Sequence, residues 1–97
     1  MAGLLDEKQI QEGLTDRPQW QYRDGVIVRE VTAPDFMSGI RLVHEVAEVA
    51  EKVNHHPDID IRWTTITFAL VTHAMGGVTE YDLKMAGKID EVVDKAP

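Results

Sequence analysis

The sequence contains no cysteine. Disulfides and thiolate-bound metals are thereby excluded, and the composition suits a reducing compartment. Positive charge is also scarce: 10 lysines and arginines stand against 17 aspartates and glutamates, a formal net charge of −7. A field of that sign repels nucleic acid and anionic membrane alike, and no basic run breaks it locally. No apolar stretch approaches the roughly 20 residues that cross a bilayer. The first residues, Met-Ala-Gly-Leu-Leu-Asp-Glu-Lys, lack both the basic flank and the apolar core of a signal peptide. A cytoplasmic protein is expected, with neither nucleic acid nor membrane as partner. Internal repeats and low-complexity tracts are missing too.

What remains is an ordinary globular composition, 43% apolar and 28% charged over 97 residues. The whole chain, 1–97, reads as a single domain. So short a chain buries a modest share of its surface, which makes oligomerisation a natural source of further stability.

Leu4, Leu5, Ile10 and Leu14 among acids and glutamines predict a short amphipathic helix over Leu4 to Leu14, ended by Gly13 and Pro18. Trp20 to Tyr22 and Val26 to Val31 flank Asp24-Gly25, a strong hairpin signal. Thr32-Ala33-Pro34-Asp35 predicts a helix start, with Thr32 as the cap. Behind it Phe36, Ile40, Val43, Ala47 and Ala50 recur at helical spacing, and Leu42, Val46, Val49 and Val53 widen that face. This longest helix must stop near Asn54, because Pro57 biases His56 away from the α region. Ile61 to Thr72 predicts one long strand, with Ile66, Phe68 and Leu70 on one face and Trp63 and His73 on the other. A short strand around Asp58 to Asp60 is a further candidate. Gly76-Gly77 makes a turn, and Thr79 with Asp82 forms a capping-box start for a last helix carrying Tyr81, Met85, Ile89 and Val92 on one side. The order implies an α+β layer design: an antiparallel sheet covered by helices on one face.

The chemistry concentrates in a spaced pattern: Glu51-Lys52-Val53-Asn54-His55-His56-Pro57, then Trp63, His73 and Asp82. Imidazole is the side chain whose ordinary pKa lies nearest neutrality, so three histidines around one pocket supply both an acid and a base. Such a pair suits loss of water from a carbon that bears a hydroxyl next to nitrogen. An acid protonates the departing hydroxyl and a base takes the proton from nitrogen. Glu51 is placed to orient one imidazole, and a helical glutamate four residues before His55 reaches it if the helix continues that far.

Plainer readings use the same residues. His55 and His56 fit a helix end, where free carbonyls need donors. His73 fits a polar strand end, Asp82 a helix cap, and Trp63 a packing residue. His44, beside the wet stripe of the long helix, reads as a surface residue. A metal site built from His55, His56 and His73 with Asp58 or Asp60 is the sharpest rival. Adjacent histidines in an extended segment point apart, however, and no His-x-x-x-His helical pair is present.

Glu-x-x-x-His-His-Pro, an aromatic, Thr-His and Gly-x-Thr-x-x-Asp together resemble the pterin-4a-carbinolamine dehydratases. Here the pieces are Glu51, His55-His56-Pro57, Trp63, Thr72-His73 and Gly77-Val78-Thr79 through Asp82. The similarity extends to Trp20, the Asp24-Gly25 turn, Arg29 and Asp35-Phe36. It implies a four-stranded antiparallel sheet with two to three helices on one face. It also implies dehydration of 4a-hydroxytetrahydropterin to quinonoid dihydropterin, a hydro-lyase step in tetrahydropterin recycling. His55, His56 and His73 are then the acid, base and pterin-binding groups, with Glu51 as supporting carboxylate. The substrate would lie against Asn54 to His56 and Val71 to His73, with Asp82 close by. Neither metal nor cofactor is implied, and a homodimer or a pair of dimers is. Within the family the same fold also serves as a non-catalytic dimerisation partner or assembly factor. The three intact histidines favour the enzyme, since a binding module has no physical need of them all.

Overall fold

The computed structural model describes residues 3–96. The elements run α1 (Glu7–Gly13), β1 (Gln21–Arg23), β2 (Val26–Thr32), α2 (Phe36–Val53), β3 (Asp58–Arg62), β4 (Thr65–Leu70), one 3-10 turn (His73–Met75) and α3 (Glu80–Lys95). The four strands form one antiparallel sheet in the order β1-β2-β4-β3, so β1 and β3 are its edges.

Alternation makes this sheet two-faced. Ile27, Ile66, Phe68 and Leu70 are fully buried, and they join Ile10 and Leu14 of α1, Leu42, Val46 and Ala50 of α2, and Met85, Ala86 and Ile89 of α3 in one core cluster. All three helices therefore cover the same face, as the α+β reading expects. The other face carries rows such as Glu30, Thr67 and Asp60, paired across the strands. Helix α2 lies close on the sheet at Gly39, where an added Cβ would lie 2.8 Å from Ile66 Cδ1.

The β1–β2 hairpin turns on Asp24-Gly25, and both residues have positive φ (53° and 81°), as a primed two-residue turn requires. Elsewhere the elements differ from expectation in instructive ways. Helix α1 begins at Glu7, because Asp6 and Gln9 close a reciprocal capping box. Leu4 is left exposed before it. Helix α2 is capped by Asp35, whose side chain accepts from the Ser38 N–H at 2.7 Å. Thr32, the expected cap, is still in β2 opposite Thr65. The stripe of α2 that is buried is Gly39, Leu42, Val46 and Ala50, whereas Phe36 and Val53 are exposed.

The largest difference lies in the expected strand Ile61 to Thr72. It is two strands folded back on each other, with Arg62 opposite Thr65 and Trp63-Thr64 as the turn. The candidate strand at Asp58 is the start of β3. Trp63 consequently leaves the packed interior altogether: it is 79% exposed, with φ at +52°.

Candidate active site

The site is assembled where four chain ends meet: the C-terminus of α2, the N-terminus of α3, the end of β4 and the start of β3. Helix α2 stops at Asn54, which takes the left-handed conformation (φ 55°, ψ 45°). The N–H of His55 then reaches back to the Ala50 carbonyl at 3.2 Å, the long closing bond of a Schellman-type cap. Asparagine tolerates this conformation better than most side chains. The cap thus fixes the direction in which the His-His pair departs.

His55 is turned inward, its side chain 17% exposed, and its Nε2 lies 2.6 Å from Asp82 Oδ1. Asp82 itself is wholly buried. Its other oxygen, Oδ2, accepts from the Thr79 N–H at 2.9 Å, closing the capping box of α3, and from Thr72 Oγ1 at 2.8 Å. Thr72 Oγ1 also lies 2.7 Å from Thr79 Oγ1, which accepts the Tyr81 N–H. A carboxylate only accepts, so the hydroxyl protons have one consistent order. Thr79 donates to Thr72, Thr72 donates to Asp82, and Nε2 of His55 donates to the remaining oxygen. The imidazole is held in one tautomer, with Nδ1 free for a second partner. Tyr81 lies across His55 with ring centroids 6.0 Å apart.

The other two histidines pair with carboxylates of their own. His56 Nε2 is 2.5 Å from Glu51 Oε2, and His73 Nε2 is 3.9 Å from Asp58 Oδ2. Both are open to solvent, at 52% and 76% side-chain exposure. The contacts close a loop: His55 to Asp82, Asp82 to Thr72, its neighbour His73 to Asp58, and back along the chain through Pro57 and His56. All three expected histidines therefore belong to one end of the molecule.

Several expected placements change. Glu51 holds His56 and not His55, because α2 ends before the turn that would have brought His55 over it. His73 opens the 3-10 turn beyond β4, so it does not end a strand, and Trp63 lies at the opposite end of the β3–β4 hairpin. Asp82, expected as a substrate contact, has no exposed surface and acts on the site through His55. Thr72 likewise spends its hydroxyl on Asp82 and Thr79. Asn54 is exposed as the helix cap, and Val71 is partly buried after β4. Tyr81, expected on the core face of α3, is half-exposed beside His55.

One buried cluster had no expectation attached. Asp90 of α3 accepts from Trp20 Nε1 at 2.8 Å, from Arg17 at 3.2 Å and from Arg29. It ties the β1–β2 hairpin to α3, away from the histidines. Spacing alone offers no signal for it, since the partners are 61 to 73 residues from Asp90.

No set of three His, Asp or Glu side chains among the described residues converges as a metal-binding group. No helix among them is long and apolar enough to cross a membrane.

Residues 3–92 match the family model described as pterin 4 alpha carbinolamine dehydratase. The chain belongs to that family. A Mycobacterium tuberculosis protein, provisionally named a pterin-4-alpha-carbinolamine dehydratase, is 59% identical over 90 residues, covering 93% of this chain and 95% of its own. A protein of the same provisional name from Mycobacterium sp. strain JLS is 53% identical over 95 residues, covering 98% and 100%. Among solved structures, a transcriptional coactivator/pterin dehydratase from Brucella melitensis superposes with a TM-score of 0.87 at 33% identity, over 93% of this chain and 98% of that one. A pterin dehydratase-like protein described as a RuBisCO assembly factor in the alpha-carboxysome gives 0.61 at 16% identity, over 75% and 84%. That second likeness is one of fold.

Proposed function

We propose that the histidine cluster is the active site of a hydro-lyase that removes water from 4a-hydroxytetrahydropterin, leaving quinonoid dihydropterin for tetrahydropterin recycling. The observation that carries this reading is the clamp on His55: a buried carboxylate, fixed by Thr72 and Thr79, holds the imidazole with one nitrogen free. Such preorganisation is what a proton-transferring group needs, and a helix-end histidine with a merely structural role does not need it.

In this reading the substrate lies over His55, with His56 and His73 at its edges and Asn54 and Val71-Thr72 beside it. One imidazole delivers a proton to the 4a hydroxyl as the carbon–oxygen bond breaks. Another takes the proton from the adjacent ring nitrogen, whose electrons form the new carbon–nitrogen double bond. Water leaves, and the protein ends with the proton count it began with. His55 suits one of these roles because Asp82, itself fixed by Thr72 and Thr79, holds its ring in place with Nδ1 turned free. Glu51 lies at hydrogen-bond distance behind His56, and Asp58 stands near His73 at the solvent-facing side of the cluster. Each positioned transfer contributes about 10²–10⁴-fold. The step calls for no metal or other cofactor, and the cytoplasm is the compartment that suits a cysteine-free acidic chain.

The same reading makes the protein a homodimer, singly or as a pair of dimers. Its support is the chain's small size and the bare edge of β3, where all five residues are exposed. The membership of the family and the full set of imidazoles favour the enzyme over a purely assembling role.

The test is the rate at which purified protein consumes 4a-hydroxytetrahydropterin near neutral pH. Acceleration over buffer that survives a chelator is expected, and His55→Ala and His73→Ala should each remove most of it. His56→Ala should chiefly raise KM. A wild-type rate no faster than buffer would refute the reading. Activity lost to chelator and regained with zinc would move it to a metal mechanism.

A further inference from the structure

Three parts of the chain wall the histidine cluster, and two of them bring ionisable groups. The end of α2 supplies Glu51 and His56, and the 3-10 turn with β3 supplies His73 and Asp58. The third, the first turn of α3, buries its acid Asp82 behind His55 and presents Tyr81. Trp63, the aromatic that the spacing associated with this pattern, stands at the other end of the β3–β4 hairpin. Tyr81 is therefore the aromatic side chain that the fold brings to His55.

Packing does not account for it. Tyr81 lies one turn before Met85 on the stripe of α3 that continues to Ile89. Met85 is 1% exposed and Tyr81 is 50%, so the stripe outruns the core at this end. The backbone beneath the ring is nonetheless fixed. Its N–H donates to Thr79 Oγ1 at 3.2 Å, and its neighbour Asp82 closes the capping box. A half-wet ring on so well held a turn is preorganised for a partner that arrives from solution.

The geometry against His55 narrows what that partner is. The two ring centroids are 6.0 Å apart and the planes are tilted by 44°. A flat ring sandwiched between them would need about twice a 3.5 Å contact distance, roughly 7 Å. No ring enters there, so the two side chains make adjoining walls of one corner. The free Nδ1 of His55 forms hydrogen bonds in the plane of the imidazole, so it meets a substrate at its edge. The faces of that substrate then need another support, and Tyr81 is the flat apolar surface within reach. Aromatic planes attract in offset and edge arrangements, and a ring placed there keeps water from the proton transfers.

We propose that Tyr81 is a substrate-binding residue whose ring supports the flat heterocycle while His55 works on that heterocycle's edge. This rests on the histidine cluster being a pterin dehydratase site. The contact is made through the ring and contributes to affinity, and the placement of His55 is left to Asp82.

The test separates the ring from the clamp behind it. Tyr81→Phe keeps the ring and should stay within about twofold of the wild type in kcat and KM. Tyr81→Leu keeps bulk without a π face. It should raise KM for 4a-hydroxytetrahydropterin by about 5- to 10-fold and leave kcat nearly unchanged. Binding of 7,8-dihydropterin, titrated without oxygen, should weaken by the same factor and needs no turnover to be read. Tyr81→Gln suits an exposed helix position, should show the same loss, and serves if Tyr81→Leu does not fold. Wild-type KM and affinity in these variants overturn the contact and leave the dehydratase function standing. A loss confined to kcat overturns it too, since Tyr81 then acts only through His55 and Asp82. A wild-type protein that neither binds the dihydropterin nor outpaces buffer overturns the function, and the contact with it.

Discussion

Asp82 shows how one residue can hold two roles that compete on paper. The Thr79-x-x-Asp82 spacing announces a helix cap, and the cap is there. The contact with His55 was not legible, because it joins residues 27 apart. It exists only once the end of α2 and the first turn of α3 are packed together. Its two oxygens divide the work, one for the cap and Thr72, the other for the imidazole. Asp82→Asn should separate the roles. The amide keeps an oxygen for the cap but turns an N–H toward His55, forcing the proton to Nδ1. Turnover should fall by about 10²–10⁴-fold, and stability by roughly 1–3 kcal/mol, read from initial rates and thermal melting. Equal losses in Thr72→Val and Asp82→Asn would mean that the hydroxyl matters as much as the charge. Asp90 predicts the converse pattern. Asp90→Ala leaves Arg29 buried without its counter-charge, a loss of roughly 3–5 kcal/mol. The folded fraction should keep its specific activity, since none of these groups faces the histidines.

Most elements were legible because their signals are local: the Asp24-Gly25 turn, the Thr79 cap and the alternation of Ile66, Phe68 and Leu70 each need only neighbours along the chain. The β3–β4 hairpin was not, and its turn explains why. Trp63-Thr64 contains neither glycine, asparagine nor aspartate, so nothing marks a reversal within Ile61 to Thr72. The choice of cap for α2 was also hidden, since Thr32 and Asp35 are both good caps and only the sheet, by claiming Thr32, decides between them. The cap has a pH signature. The Ser38 N–H, then the Ser38 side chain and the Arg41 charge, hold the Asp35 carboxyl below its ordinary value of 3.8. A folded-state value below the unfolded one stabilises the fold above the ordinary carboxylate range, and that contribution disappears as pH falls through the lowered value. Asp35→Asn retains a capping oxygen without a titrating charge. The wild type should therefore melt higher than this variant near neutrality, and the gap should close in acid. A gap that is the same at every pH would exclude the charge as its source. At the other end of α2, Asn54→Gly should be tolerated and Asn54→Val should not. A β-branched residue in the left-handed conformation costs about 1–2 kcal/mol and would swing His55 off Asp82, so activity should fall further than stability.

Of the large apolar side chains that the molecule exposes, three lie together. Ile59 and Ile61 lie on the β3 edge, next to the Trp63 turn. The acidic net charge opposes association in general, so pairing here depends on the pattern of charge within the edge rather than on its sum. That dependence can be measured. In a homodimer joined antiparallel along β3 with Asp58 opposite the partner's Arg62, Arg62→Asp puts like charges opposite one another at both ends of the seam and should weaken the dimer. Asp58→Arg should do the same. Combined in one chain, the two substitutions restore an Asp–Arg pair in reversed sense, and the dimer should return. The readout is mass in solution across dilution, together with a melting temperature that rises with protein concentration wherever a dimer forms. A positive coupling of the two substitutions identifies the pair as facing across the seam, because sites that do not share a contact add independently. Activity is the wrong readout for the double variant, since Asp58 also stands behind His73 within its own chain. If the double variant dissociates as readily as the singles added together, Asp58 and Arg62 do not face one another across a β3 seam.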